Sequence, residues 1–265
     1  MRQALTMIAR QAGRMMREAR AGGVTVTAKE GIGNFVTDCD ENVQRFLQRE
    51  LRALLPEAGF VGEEDHMQDR GGDGLRWIVD PIDGTANFIR GMNYSAVSIG
   101  LAEGKQVLAG AVYNPFSDEL FYGEQGKGAF LNDAPIHAAR RPLKQGFVCM
   151  GITNYSRDET ERMFSIMRGL FDRCEDLRSN GACSLDICSV AAGRLDAYAE
   201  LRLCPWDYAA ASCVLLEAGG RISEISGNPL PLNQNGSVLA ASAACYDEAL
   251  LCCRQSGASI EKSPE

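Results

Sequence analysis

The feature that most narrows the fold is a change of apolar period along the chain. Leu5, Ile8, Ala12, Met15, Met16 and Ala19 recur at helical spacing among Arg and Gln residues, which predicts a first helix over 3–20, stopped by Gly22-Gly23. Val43, Phe46, Leu47, Leu51, Leu54 and Leu55 repeat the pattern until Pro56 ends it. From residue 75 short apolar runs take over at 77–79, 96–101, 107–113 and 120–122, with turn residues Glu103-Gly104, Asn114-Pro115 and the segment 123–128 between or after them. That texture predicts an antiparallel meander. Beyond it, strand-like runs at 147–150, 196–201, 221–225 and 238–241 are mixed with helical stretches at 158–170, 184–193, 206–218 and 246–253. Helices, then a meander, then mixed helix and strand predict an α/β chain of stacked helix and sheet layers, and argue against a Rossmann or TIM repeat.

Composition bounds the partners. The chain has 265 residues, 45% of them apolar, and carries 27 Lys and Arg against 35 Asp and Glu for a net charge of −8. A surface of that sign disfavours nucleic acid and anionic membrane as partners, and an anionic ligand would need local positive charge from metal ions or helix N-termini. No apolar run reaches the roughly 20 residues of a membrane span, and the N-terminus opens an amphipathic helix instead of a secretory segment. The expectation is a cytoplasmic protein of one domain over 1–265, with an N-terminal α+β part to about residue 145, a C-terminal α/β part from about 146, and a frayed tail at 256–265. The ten cysteines then read as buried thiols in a reducing compartment. Without a C-x-x-C pair, and with His66 and His137 the only histidines, zinc lacks its usual ligand spacing; both histidines read as surface or loop residues.

The chemistry concentrates in Trp77-Ile78-Val79-Asp80-Pro81-Ile82-Asp83-Gly84-Thr85-Ala86-Asn87-Phe88. An apolar strand runs into two carboxylates three residues apart, and Pro81 stiffens the backbone between them, so Asp80 and Asp83 can turn to one point just beyond the strand. That pattern suits a hard divalent cation, and it equally suits an Asx-type turn. Gly84-Thr85 would let backbone amides approach a phosphate if a helix or tight turn starts there. Gly62-Glu63-Glu64 follows the apolar Phe60-Val61, Asp38 and Asp40 precede the second helix, and Trp206-Asp207 opens a third. Each of these acids has an ordinary explanation as a turn residue or helix cap beside the functional one.

Taken together they resemble the inositol monophosphatase family, the lithium-sensitive, magnesium-dependent phosphatases with fructose-1,6-bisphosphatase and nucleotide 3′-phosphatases as more distant relatives. The match comprises V-T-x-x-D at Val36, Thr37 and Asp40, G-E-E at Gly62 to Glu64, D-P-I-D-G-T-x-N-F at Asp80 to Phe88, and W-D at Trp206-Asp207, in family order and spacing. Gly181 to Gly193, with Asp196-Ala197-Tyr198 and Glu200, resembles the family's second-half segment. The resemblance implies a layered α/β/α/β/α sandwich with the site between two sheet regions. It implies a first Mg²⁺ on Glu63, Asp80 and the Ile82 carbonyl, a second on Asp80, Asp83 and Asp207, and a third, weaker ion near Glu63. Oxygen-only ligands suit such a cation, and a pair about 3.5–4 Å apart can clamp the attacking and leaving oxygens of an in-line displacement.

By the same resemblance Thr85 and Asp40 form the pair that orients or deprotonates the attacking water, with Glu63 the competing base. Amides of Gly84 and Thr85 hold phosphate oxygens. Gly181, Ala182, Cys183 and Glu200, with Asp83 and Asp207, receive the alcohol part of the substrate. No Ser or Cys motif suggests a phosphoenzyme, and no basic motif lies beside a cysteine to lower its pKa. The reading is hydrolysis of a small polyol phosphate, myo-inositol 1-phosphate first, by a cytoplasmic homodimer. Fructose 1,6-bisphosphate, histidinol phosphate and a 3′-phosphoadenosine nucleotide are the alternative substrates, and an idle phosphosugar-binding relative is the alternative class. Two positions depart from the family: Ala86 stands where many relatives carry Thr, loosening a phosphate-side hydrogen bond, and Asn34 stands where many carry Asp. Asp83→Asn is expected to lower the rate with little loss of folding, Asp83 being placed on an exposed loop. The charged run 172–178 reads as a solvated face.

Overall fold

The computed structural model describes residues 1–29, 31, 35–64, 74–152 and 158–258. The two opening helices, α1 (Arg2–Gly22) and α2 (Asp38–Leu54), lie against each other. Their apolar stripes, Leu5, Ala9, Ala12 and Met16 on one and Val43, Phe46, Leu47 and Leu51 on the other, close over one face of a seven-stranded sheet. A two-stranded antiparallel ribbon, β1 (Val26–Ala28) and β2 (Phe35–Thr37), leads into α2.

The large sheet runs in sequence order through β3 (Gly59–Gly62), β4 (Leu75–Asp83), β5 (Ala96–Glu103), β6 (Gln106–Asn114), β7 (Glu119–Glu124), β8 (Gly128–Leu131) and β9 (Ala134–Pro135). Only β3 and β4 pair in parallel; the rest is the expected meander. A short helix, α3 (Thr85–Ile89), interrupts the path from β4 to β5.

The second sheet has the order β11-β10-β12-β14-β13, from β10 (Phe147–Met150), β11 (Asp176–Arg178), β12 (Ala197–Leu203), β13 (Gly220–Ser223) and β14 (Gly236–Ser242). Between the two sheets lie α5 (Cys183–Ala191) and α6 (Pro205–Glu217), whose faces share one core with Ile78, Val112 and Phe121 of the first sheet and Tyr198, Val238 and Ala240 of the second. On the far face of the second sheet α4 (Thr160–Phe171) and α7 (Tyr246–Ala258) bury Met163, Ile166, Leu170, Cys252 and Cys253. The order of layers is therefore helix, sheet, helix, sheet, helix.

Three close approaches seat α6 on the first sheet. Gly100, Gly110 and Gly123 are register partners across β5, β6 and β7. A Cβ on Gly110 would fall on the Ala210 backbone, and one on Gly123 would stand 2.7 Å from the Val214 Cα. A row of hydrogens where side chains would be lets the helix backbone settle directly on the strands.

The structure extends most of the expected elements, shortens those at 158–170, 184–193 and 221–225, and adds short ones. β1, β2, β3, β8, β9 and β11 carry too few apolar residues to show alternation, and β1 is exposed throughout. Part of the run at 172–178 is the edge strand β11, parallel to β10, so the expected solvated face is in part sheet; its ion pairs Arg168–Asp172 and Arg178–Asp176 are exposed. The last helix continues to Ala258, and residues 259–265 of the expected frayed tail lie outside the described residues. All ten cysteines are free thiols. His137 is exposed, and His66 and Asn34 fall outside the described residues. Among the described residues no helix is long and apolar enough to cross a membrane.

Candidate active site

Asp80 and Asp83 do not sit beyond a strand end on an exposed loop, as expected, but inside the last turn of β4. Asp80 pairs with Ser98 and Asp83 with Ala96, so one extra residue is held in β4 between them. Pro81 occupies that bulge, where its missing N–H costs no ladder hydrogen bond. Both carboxylates are buried, at 2% and 6% exposed. The Asp80 Oδ1 accepts from the Ile82 amide at 2.9 Å, a local turn that fixes the side chain at the bulge.

Gly84 follows with φ of 79°, a left-handed conformation, and starts α3. A side chain there would meet the Ala182 Cβ at 3.0 Å and the carbonyls of Gly181 and Tyr94 at 3.1 Å, so the turn is packed against the loop that opens α5. The Thr85 hydroxyl lies 2.9 Å from the Ile82 carbonyl and 3.4 Å from Asp40 Oδ1. On its other oxygen Asp40 accepts from the Thr37 amide at 2.8 Å and the Thr37 hydroxyl at 2.5 Å, closing a capping box at the start of α2. Cap and pairing with Thr85 are thus made by the same carboxylate.

From the second half, α5 points its N-terminus at Asp83. The amides of Cys183 and Ser184 donate to its two oxygens at 3.2 and 2.8 Å, and the Ser184 hydroxyl donates as well. Asp207 is the N3 residue of α6 and accepts from the Cys204 amide at 2.7 Å, so the cap expected of it is real. Glu63, just past β3, is tied to β4 through its amide and the Val79 carbonyl at 3.2 Å. Its carboxylate is 3.2 Å from the Lys29 ammonium, which also meets Glu64 at 2.8 Å.

Sequence reasoning missed Lys29, Ser184 and Asn87. The Asn87 amide nitrogen lies 2.8 Å from the carbonyls of Tyr94 and Asn180 and 3.3 Å from that of Gly181, linking the loop after β4 to the one before α5. Asn87 falls within a quoted motif, but nothing in a linear chain tells what a lone amide will bridge. Tyr94 and Asn180 in turn both donate to the buried Asp186 at 2.7 Å. Glu200 lies on β12, 9% exposed.

Electrostatically the group is strained. Burial pushes the Asp40 carboxyl up to about 7, with the charges of Glu63 and Glu64 adding and the Thr37 hydrogen bonds opposing. Burial, then Glu63, Asp83, Asp207 and Asp40, raises Asp80 well above the carboxylate range. Burial followed by Glu63 and Asp83 does the same to Asp207. Asp83 is raised by burial against the hydrogen bonds of Ser184, and Glu63 by burial against Lys29. Each acid lies within the field of others, yet each is held by an internal partner. Among the described residues no three carboxylate, thiol or imidazole groups stand at metal-holding spacing. The donors are hard oxygens with excess negative charge, which fits a hard divalent cation in kind. The thiols are poor nucleophiles: burial raises Cys183 and Cys188 well above the ordinary thiol range and Cys204 to about 12.

Five layers enclosing a group of buried acids beside a glycine turn at a helix start define a layered α+β protein with an oxygen-rich internal site. The model of the inositol monophosphatase family matches residues 1–258. The inositol-1-monophosphatase of Rhizobium meliloti is 36% identical over 212 residues, 79% of either chain. Among solved structures, the extragenic suppressor protein suhB of Bartonella henselae superposes with a TM-score of 0.88 at 30% identity, over 96% of this chain and 98% of its own. Staphylococcal inositol monophosphatase-II does so at 0.82 and 25% identity, over 98% and 96%. The chain belongs to the inositol monophosphatase family, whose members are metal-dependent phosphatases acting on a phosphorylated substrate.

Proposed function

We propose that the protein is a Mg²⁺-dependent phosphomonoesterase for small polyol phosphates, with myo-inositol 1-phosphate as its first substrate. The observation that carries this reading is uncompensated acidity: Asp80, Asp83 and Asp207 are raised by burial, Asp80 and Asp207 further by neighbouring acids, with only Lys29 ion-paired into the group among the described residues. A site so built repels a phosphate unless cations enter it. Glu63, Asp80, Asp83, Asp207 and the Ile82 carbonyl would hold them, once Glu63 leaves Lys29. When bound, Mg²⁺ supplies the attraction for phosphate and lowers the pKa of the attacking water.

The chain's own residues do the rest. Asp40 accepts a proton from the attacking water through Thr85, with Glu63 as competing base; the water oxygen bonds to phosphorus as the bond to the alcohol oxygen breaks, and that oxygen takes its proton from solvent. The Gly84 and Thr85 amides hold phosphate oxygens. Gly181, Ala182, Cys183 and Glu200, with Asp83 and Asp207, receive the alcohol hydroxyls, for which carboxylates and backbone groups are suitable acceptors and donors. Structures of staphylococcal inositol monophosphatase-II hold inositol monophosphate in one case and 2′-AMP in another, which favours a phosphate-centred site with a changeable alcohol side. The family resemblance supports the remaining elements of the reading: two Mg²⁺ with a third, weaker ion, inhibition by lithium, one catalytic domain, a homodimer and a cytoplasmic setting.

The test is a panel of inositol 1-phosphate, fructose 1,6-bisphosphate, histidinol phosphate and 3′-phosphoadenosine 5′-phosphate with magnesium and with chelator. The expected result is turnover lost on chelation and kcat/KM highest for the inositol ester. A nucleotide ahead by an order of magnitude would replace the substrate, and hydrolysis surviving exhaustive chelation would reject the mechanism.

A further inference from the structure

We propose that Tyr198 is a specificity-determining positioning residue whose hydroxyl sets the Glu200 carboxylate in the orientation that receives a polyol. The inference rests on the polyol reading above and adds to it a residue that touches neither phosphate nor metal ligand.

Tyr198 and Glu200 stand two apart on β12, so they share the face turned to the layer between the sheets. The Tyr198 hydroxyl donates to Glu200 Oε2. Just after Glu200 the register slips, Glu200 pairing with Val238 and Leu203 with Gly236. The backbone ladder therefore stops being regular where this side chain needs a fixed direction, and the tyrosine supplies a constraint from within the face. Space for it is made by the neighbouring strand end: the Gly151 amide donates to the Ala199 carbonyl at 3.0 Å, and a Cβ on Gly151 would overlap the Glu200 carboxylate and come within 2.6 Å of the Tyr198 hydroxyl. The same hydroxyl lies beside Cys183, the first residue of α5 and one of those assigned to the alcohol. Glu200 also lies within the field of Asp207, so the unit reaches the edge of the acidic group.

Burial holds the Tyr198 phenol far above its ordinary range, so it remains a donor at any working pH. A donor fixed on one oxygen of a buried carboxylate limits the directions in which that carboxylate offers its remaining capacity, and loss of the donor widens them. Attack on phosphorus does not depend on that direction. Recognition of hydroxyls does.

The experiment measures kcat/KM with magnesium for inositol 1-phosphate and for p-nitrophenyl phosphate, an ester whose alcohol carries no further hydroxyls. It uses the wild type, Tyr198→Phe, Glu200→Gln and their double variant, with Gly151→Ala as an independent disturbance of the same carboxylate should Tyr198→Phe fold poorly. The inositol-to-aryl ratio is expected to fall about tenfold in Tyr198→Phe, chiefly through KM on the inositol ester, the loss of one charge-assisted hydrogen bond. It falls in Gly151→Ala as well, and the double variant is no worse than the poorer single one. Equal loss on both esters, or independent effects of Tyr198 and Glu200 that multiply, overturns the inference and leaves the polyol reading in place. A wild type that hydrolyses the aryl ester but not the inositol ester overturns that reading, and the inference with it.

Discussion

Asp83 is held by three donors from α5 and stands next to Gly84, so one carboxylate joins the two halves of the molecule and faces the site. Because it is 6% exposed and not on a loop, its replacement touches helix capping as well as chemistry. Asp83→Asn keeps a cap acceptor and removes a buried charge. Its expected outcome is a fall in kcat of about two orders of magnitude, with a melting temperature in chelator no lower than that of the wild type. Asp40 offers a pH test. Its folded pKa of about 7 lies above the roughly 3.9 of an unfolded Asp, so its contribution to stability is fully present below about 4 and is lost as pH rises through about 7. Urea melts of the metal-free protein between pH 4.5 and 8 should show stability declining across that window, and Asp40→Asn should flatten the decline. The sequence allowed Asp40 and Asp207 to be either caps or site residues; both are caps that also face the acidic group, because a cap leaves one carboxylate oxygen for another task.

At the scale of elements, α6 decides where Asp207 goes, and three glycines decide where α6 goes. Adding one methyl at Gly110 would drive a Cβ into the Ala210 backbone, which cannot swing aside as a side chain can. Gly110→Ala is expected to destabilise by about 1–3 kcal/mol, read as a melting temperature lower by about 2–4 °C per kcal/mol. Activity should fall beyond what unfolding explains, since Asp207 moves with its helix. The long amphipathic helices and the meander were legible because each repeats one period over several turns or strands. The edge strands were not: β11 shows Asp-Leu-Arg, which is strand only because the parallel β10 offers it a ladder. The bulge in β4 was equally hidden, since a motif of two acids around a proline looks alike inside a strand and after one.

For the whole molecule, the net charge of −8 and the acidic group within it call for a cation on binding a phosphate. A ligand that binds only the folded state stabilises it by mass action, about 2.7 kcal/mol at a hundredfold excess over its Kd. Magnesium should therefore raise the melting temperature and chelator reverse it, with Asp207→Asn blunting the gain; an unchanged melt would disconnect the acidic group from cation binding. What the chain alone determined was its long helices, its meander and the acids of its motifs, because periodicity and short-range spacing are properties of a line. What the tertiary structure decided was how those acids are held: Lys29 reaching Glu63, Ser184 donating to Asp83 from 101 residues away, and Gly151 making room for Glu200. Those contacts depend on how sheets and helices pack across the middle layer, and no local pattern encodes the distance between residues that meet only after folding.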